Sequence, residues 1–391
     1  MNRRARFIAA IADVSARSHP TKEKIMKIAT HNTPIEQRKA LQLLQQLPSP
    51  IMLLILGLLL LFLIVIAVSF GSTPIPLGTI ARILLNGTHL FHFARSWNPT
   101  AELIVWQVRM PVVIGAALVG AALAVAGVLF QGMLRNPLAD PFLIGTSSGA
   151  ALGAAIAFIL PFDTVFGTLF SLTPLLAFVG AMLTVFLVYA IARTDGQTPV
   201  VTLLLAGVVI NAVLVAFQTL ILTLSPHAQF GIQALFNWLS GGIAVTSWPP
   251  IIVVAIIVLV GILCSFMLSG VLDAFALGEE EAAHLGLHVE LRKLLIIALG
   301  SLLTAAAVSI SGLIGFVGLV TPHAMRLLLG PRHRLLLPAS ALGGAIFLTL
   351  ADLLARVVIA PAVLPVGVFT ALVGAPFFLF LLRGSKRDYR W

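Results

Sequence analysis

Residues 51–70 read IMLLILGLLLLFLIVIAVSF, twenty consecutive positions without a charged side chain. A helix needs about 20 such residues to cross a ~30 Å hydrocarbon core. Apolar segments of comparable length recur at 112–133, 141–160, 173–192, 199–224, 249–271, 293–310, 312–329, 337–359 and 365–382. The pattern predicts an all-α membrane protein of about ten transmembrane helices. Its least secure boundary falls at Ser309–Gly312, where only four residues separate two spans and a single broken helix is an alternative.

Composition agrees. The chain is 59% hydrophobic and 10% charged, with a mean hydropathy of +1.08, more apolar surface than a water-soluble domain can hide. The formal charge of +10 would suggest nucleic acid in a soluble protein, but the basic residues lie between apolar runs, as membrane topology requires and a DNA-binding face does not. No nucleic-acid partner is expected. One cysteine, Cys264, excludes an intrachain disulfide and a cysteine-based metal site.

Residues 1–50 form a basic segment with nine Lys or Arg and no spanning stretch. It reads as a disordered cytoplasmic tail rather than a cleavable signal, whose apolar region would follow the first charges directly. The expected organisation is therefore tail 1–50, membrane domain 51–383 and short C-terminal tail 384–391. With the N-terminus cytoplasmic, inside segments after residue 50 carry eleven Lys or Arg, and the outer side carries four: Arg82, Arg95, Arg109 and Arg356. This bias places both termini in the cytoplasm of an inner-membrane, multi-pass protein. Glycines 149, 153, 312, 315 and 318 suit close helix packing in lipid. The stretch 71–110 should cap the outer end of the bundle, and a short helix is predicted around Gly231–Leu239.

Several motifs bear on function. Leu239-Ser-Gly-Gly-Ile resembles the phosphate-holding signature of ABC ATPases, yet the sequence encodes no Gly-x-x-x-x-Gly-Lys-Ser/Thr loop, and the topology puts Ser240 outside. Energy must come from another subunit or from an ion gradient. The inner segment Leu277–Leu287, LGEEEAAHLGL, combines acids suited to a helix N-terminus with a small apolar face of Ala282, Ala283 and Leu285, and Gly286 to end the helix. An acidic knob of this kind suits a cleft on a partner protein better than an anionic lipid surface. In Arg135-Asn-Pro-Leu-Ala-Asp-Pro141 two prolines stiffen an inner turn that Asn136 can bridge. Asp352 and Arg356, four apart on one helix, can pair within the membrane as a structural pair or as pathway residues.

These motifs, with Gly312-Leu-Ile-Gly-Phe-Val-Gly-Leu-Val-Thr-Pro-His323 and Arg326, Leu337–Leu342, Ala351–Arg356, Pro365-Val-Gly and Gly374-Ala-Pro376, resemble the FecCD family of permeases for ferric siderophores, haem and vitamin B12. The likeness runs from about Leu103 to Leu382 with the motifs in the family's order. It implies the type II ABC importer permease fold of ten helices, with spans two to five and seven to ten related as an inverted pseudo-repeat. It also implies a pathway between two permease copies, two cytoplasmic ABC ATPases that bind ATP and magnesium, and an external solute-binding protein. No cofactor belongs to the chain itself.

By the same resemblance, ATPase coupling falls on Gly278, Glu279, Glu280, Ala282, Leu285 and Gly286, the inner gate on Asn136, Leu138, Val200 and Val201, and binding-protein docking on Arg109 and Arg356. Arg109 has no acidic neighbour nearer than Glu102, so its charge should be removable without harm to the bundle. The sequence departs from the family's pattern at Val112, Val363 and Arg332, which replace an arginine, an acid and an aspartate.

Two other classes are weighed. An ion-coupled secondary transporter wants carboxylates at mid-membrane, and Asp352 is the only acid clearly within a span. An intramembrane enzyme wants a nucleophile and base or metal ligands, and His323 stands alone as a structural histidine. For cargo, a ferric siderophore is expected, with haem or cobalamin as alternatives. His89, His92 and His227 read as solvated loop residues.

Overall fold

The computed structural model describes residues 48–385 except 72, 74, 88–92, 161–163, 166–169, 226–227, 244, 246 and 361. The basic N-terminal segment before Pro48, the end of the C-terminal tail, and His89, His92 and His227 lie outside the described residues. From Ser49 onward the described chain belongs to one compact unit.

Helix α1 covers Ser49–Ser69 and α2 Leu77–Gly87. Helix α3 runs without interruption from Pro99 to Leu134, with a π-helical stretch over Ile104–Arg109. After the 3-10 turn Pro141–Ile144 come α4 (Thr146–Ile159), α5 (Leu172–Ala192), α6 (Val200–Leu224) and α7 (Ala228–Leu239). A two-residue ladder, Thr164–Val165 with Phe170–Ser171, links α4 to α5. The second half comprises α8 (Trp248–Met267), α9 (Ser269–Phe275), α10 (Glu279–His284), α11 (Val289–Ser311), α12 (Val317–Leu329), α13 (His333–Val357) and α14 (Val366–Ser385).

All ten expected spans have a helix. Seven of the described helices are long and apolar enough to cross a membrane, whereas α4 and α12, with 14 and 13 residues, are shorter. Helix α12, with 13 residues, extends only about 20 Å at 1.5 Å per residue. The link Gly312–Phe316 separates α11 from α12, so these are two helices and not one broken helix. The apolar segments 141–160 and 312–329 therefore each consist of a partly buried entry, a 3-10 turn in the first and an irregular link in the second, followed by a short α-helix, a combination tolerated at membrane depth where protein surrounds the backbone.

Helix α3 is the centre. It packs on α11, α12 and α13, while α11 packs on α3, α4 and α5. Exchanging spans two to five for seven to ten maps one set of neighbours onto the other. Each set also runs long, short, long, long, and a shift of five spans, an odd number, reverses its direction. This is the inverted pseudo-repeat.

Close approach at the centre depends on glycine. A Cβ on Gly120 would strike the Gly344 backbone of α13, and one on Gly127 would strike the Gly318 backbone of α12. Gly149 and Gly153 likewise lie on the α5 backbone, but Gly315 has open space where a side chain would go, so no close helix approach depends on it. Around this centre, α1, α5, α6 and α8 leave broad apolar faces uncovered, and 83% of the most apolar window of α3 is buried against 17% in α6. The stretch 71–110 packs against the end of α1: Ile75, Ile80, Ile83 and Val105 bury together with Ala67 and Val68 of α1 and Val113 of α3.

Candidate functional site

Polar contacts sort the helix termini into two ends. At one end, Arg326 of α12 donates to Gln131 of α3 at 3.3 Å, and the His333 ring at the start of α13 lies 2.6 Å from Asp273 of α9. Helix α10 lies at this end, as its ion pair with α11 shows. At the opposite end, Arg109 and Arg356 meet the last turn of α1.

Helix α10 forms where the acidic run predicts it. Glu279, Glu280 and Glu281 occupy its first turn, where the exposed N–H groups and helix dipole favour negative charge. Gly278 enters at φ +125° and Gly286 leaves at φ +84°, conformations that only glycine adopts without strain. The amide of Leu287 closes back on the Ala282 carbonyl at 3.2 Å and that of Gly286 on Ala283 at 2.9 Å, the Schellman ending that a glycine after the last turn permits.

The faces of α10 differ from the sequence expectation in one respect. Ala282 is fully buried and joins the main core, so it is not part of an exposed docking face. It anchors the knob. Leu285 is 65% exposed and Leu277 67%, and Glu280, Glu281, Ala283, His284 and Gly286 are exposed as well. Glu279 turns inward and meets Lys293 of α11 at 2.5 Å.

The candidate gate residues sit in two turns at the same end. Arg135 ends α3 in a left-handed conformation, and Asn136 Oδ1 then accepts the Leu138 amide at 2.9 Å. Asp140 caps the following 3-10 turn by accepting the Phe142 amide at 2.8 Å. Burial raises the pKa of its carboxyl above the ordinary aspartate value, and the Phe142 hydrogen bond opposes the shift. Thr194 and Gln197 pair across a tight turn through Asp195 and Gly196, after which Val200 opens α6. Val201 is 68% exposed on a largely uncovered helix.

At the other end the two arginines cap a helix. Arg109 donates to the carbonyls of Val68 at 2.8 Å and Ser69 at 2.9 Å, and also to that of Thr73. Arg356 donates to Asp352 Oδ2 at 2.7 Å and to the Phe70 carbonyl at 3.3 Å. The last carbonyls of α1, which no helical N–H can reach, thereby gain charged donors. The expectation that Arg109 could lose its charge without cost to the bundle is corrected: it is buried, and three backbone carbonyls depend on it. Together with Gly71, Ile104, Val112 and Val363, the two arginines line a cavity of about 250 Å³. The Asp352–Arg356 pair forms as the four-residue spacing predicts.

The false ATPase signature also has a structural explanation. Gly241 turns at φ +73° against the Leu313 carbonyl, and the Ser240 hydroxyl bonds back to Phe236 at 2.8 Å. The stretch ends α7 and packs on the entry to α12. Sequence reasoning missed the Arg326–Gln131 and His333–Asp273 contacts and a cluster of buried Lys293 with the partly exposed Glu279 and Glu290 and the Thr198 backbone. A lysine at the fifth position of a spanning helix was the available signal.

Comparisons with known proteins agree with this architecture. The sequence matches the profile of the FecCD transport family over residues 59–384. It is 42% identical over 287 residues to the cobalamin import system permease protein BtuC of Halobacterium salinarum, covering 73% of this chain and 75% of that one. It is 37% identical over 347 residues to the hemin transport system permease protein HmuU of Yersinia pestis, covering 86% and 97%. Among solved structures, a metal-chelate type ABC transporter in an inward-facing conformation superposes with a TM-score of 0.73 at 31% identity, over 86% of this chain and 99% of that one. The chain belongs to the FecCD transport family and is the permease subunit of an ABC importer, with ATP hydrolysis left to a separate ATPase.

Proposed function

We propose that two copies of this chain form the path by which a bulky metal chelate crosses the cytoplasmic membrane. Two ABC ATPase subunits, which bind ATP and magnesium, dock at the α10 end, and an external binding protein delivers cargo at the other. The observation that carries this reading is the form of α10: a knob between two positive-φ glycines, anchored inward by Ala282 and presenting Leu277, Glu280 and Leu285 outward. The excess of basic residues at the α10 end supports placing it, with both termini, in the cytoplasm.

The uncovered apolar residues of α6, among them Val201, Leu205, Val208 and Val209, suit a second copy, with Asn136, Leu138, Val200 and Val201 narrowing the path at its inner end. Arg356 supplies outer positive charge for carboxylates on the binding protein, and Arg109 holds the surface beneath it. A ferric siderophore is the first cargo to test. The BtuC and HmuU relatives make cobalamin and hemin the alternatives. Proteoliposomes containing the permease, its ATPase and its binding protein should accumulate one of these three chelates when supplied with ATP and magnesium. Absence of uptake for all three, or uptake that survives removal of the ATPase, would refute the reading.

A further inference from the structure

Lys293 is 5% exposed at its side chain, and its ammonium lies 2.5 Å from Glu279 of α10 and 3.1 Å from Glu290, one turn before it on α11. The same ammonium approaches the Thr198 carbonyl at 3.3 Å, and the second oxygen of Glu290 accepts the Thr198 amide at 2.9 Å. Thr198 is buried and lies two residues before Val200, the first residue of α6. One charged cluster therefore holds three segments: the proposed ATPase-facing helix, the start of α11, and the turn that leads into α6.

The geometry points to Lys293, clamped by Glu279 and Glu290, as a positioning residue that makes α10 and the Thr194–Pro199 turn move as one body. This inference rests on the proposed function and adds the route by which the ATPase's motion reaches the candidate gate. Covalent connection cannot supply that route, because Thr198 and Glu290 lie 92 positions apart in the sequence. Packing of Ala282 is non-directional. A lysine withdrawn from water, by contrast, loses heavily if either carboxylate leaves it, so displacement of Glu279 carries Lys293 along. Through Glu290 and the Thr198 backbone the same displacement reaches the base of α6. Coupling of this kind requires a physical element whose position both sites bias.

The test uses the full permease assembled with its ATPase and carrying nitroxide labels at Glu281→Cys and Gln197→Cys in a Cys264→Ser background. With Lys293 present, the distance distribution between the labels should be the same without nucleotide and with bound magnesium-ATP. In Lys293→Met it should shift or broaden on nucleotide binding, and transport of the chelate that the wild type accumulates should fall about tenfold or more per ATP hydrolysed, a typical size for a coupling constant. Lys293→Arg, which keeps a cation in reach of both acids, should retain most coupling. Should Lys293→Met fail to insert, Glu290→Gln is the substitute, since it keeps the acceptor for the Thr198 amide and removes the charge.

A merely stabilising cluster would lower uptake and hydrolysis in parallel without a nucleotide-dependent change in distance, and that result overturns the clamp. Unchanged distances and unchanged uptake per ATP in both variants overturn it too. A wild-type permease that does not associate with its ATPase overturns the reading of α10 first, and the clamp with it.

Discussion

Ala282 and Leu285 are three residues apart on one short helix and have opposite roles. The sequence marks both as apolar positions on an inner segment, but only the packed structure shows that Ala282 is buried and Leu285 is not. Ala282→Arg should therefore prevent stable folding, because a guanidinium forced into that site is overpacked and unpaired, and size-exclusion chromatography should show aggregated protein. Leu285→Asp should leave the monomer intact and reduce co-purification of the ATPase. Arg109 makes the same point at the other end. Loss of its donors to the Val68, Ser69 and Thr73 carbonyls in Arg109→Ala should cost about 2–3 kcal/mol, read as a lowered midpoint of thermal unfolding in detergent. The charge excess on the inner side singles out Arg109 as unusual. That a helix end 40 residues earlier in sequence needs it is a fact of packing.

At the scale of elements, α3 and α13 cross where glycine faces glycine. Gly344→Leu should separate the helices and abolish monodisperse protein, since the side chain would meet the Gly120 backbone and overpacking alone costs about 1–3 kcal/mol. Gly57→Leu in α1, where nothing lies within reach of an added Cβ, should be harmless. Hydropathy located all ten spans but could not reveal that α4 and α12 are half-length. Their entries, Pro141–Gly145 and Gly312–Phe316, are as apolar as the helices themselves, so no change in hydropathy marks where each helix begins. Asp140, which caps the first of these entries, belongs to this scale too. Asp140→Asn keeps an acceptor for the Phe142 amide, while Asp140→Ala should lower stability by about 1 kcal/mol, the usual worth of a lost cap.

For the whole molecule, α6 is the least buried of the seven long spanning helices among the described residues, so its apolar face meets either lipid or a second copy. If a second copy lies there, Val209→Cys in a Cys264→Ser background should give a cross-linked dimer on mild oxidation in membranes. A face covered only by lipid should give monomer alone. The purified permease should show no ATP hydrolysis until its ATPase is added, in keeping with its family, and phosphate release measured with and without that subunit checks it.

Membrane residence, the number of spans, the position of the α10 knob and the family motifs are all readable in the sequence alone. Transfer into lipid depends on composition within a window of about 20 residues, and helix caps and glycine turns depend on fewer still. Tertiary structure decided the rest: which face of α10 is free, that Arg109 and Arg356 cap α1, which glycines touch, and that Lys293 joins α10 to the base of α6. Most of these depend on residues 36 to 286 positions apart being brought within hydrogen-bonding or van der Waals distance. No local pattern of side chains specifies which distant partner will arrive.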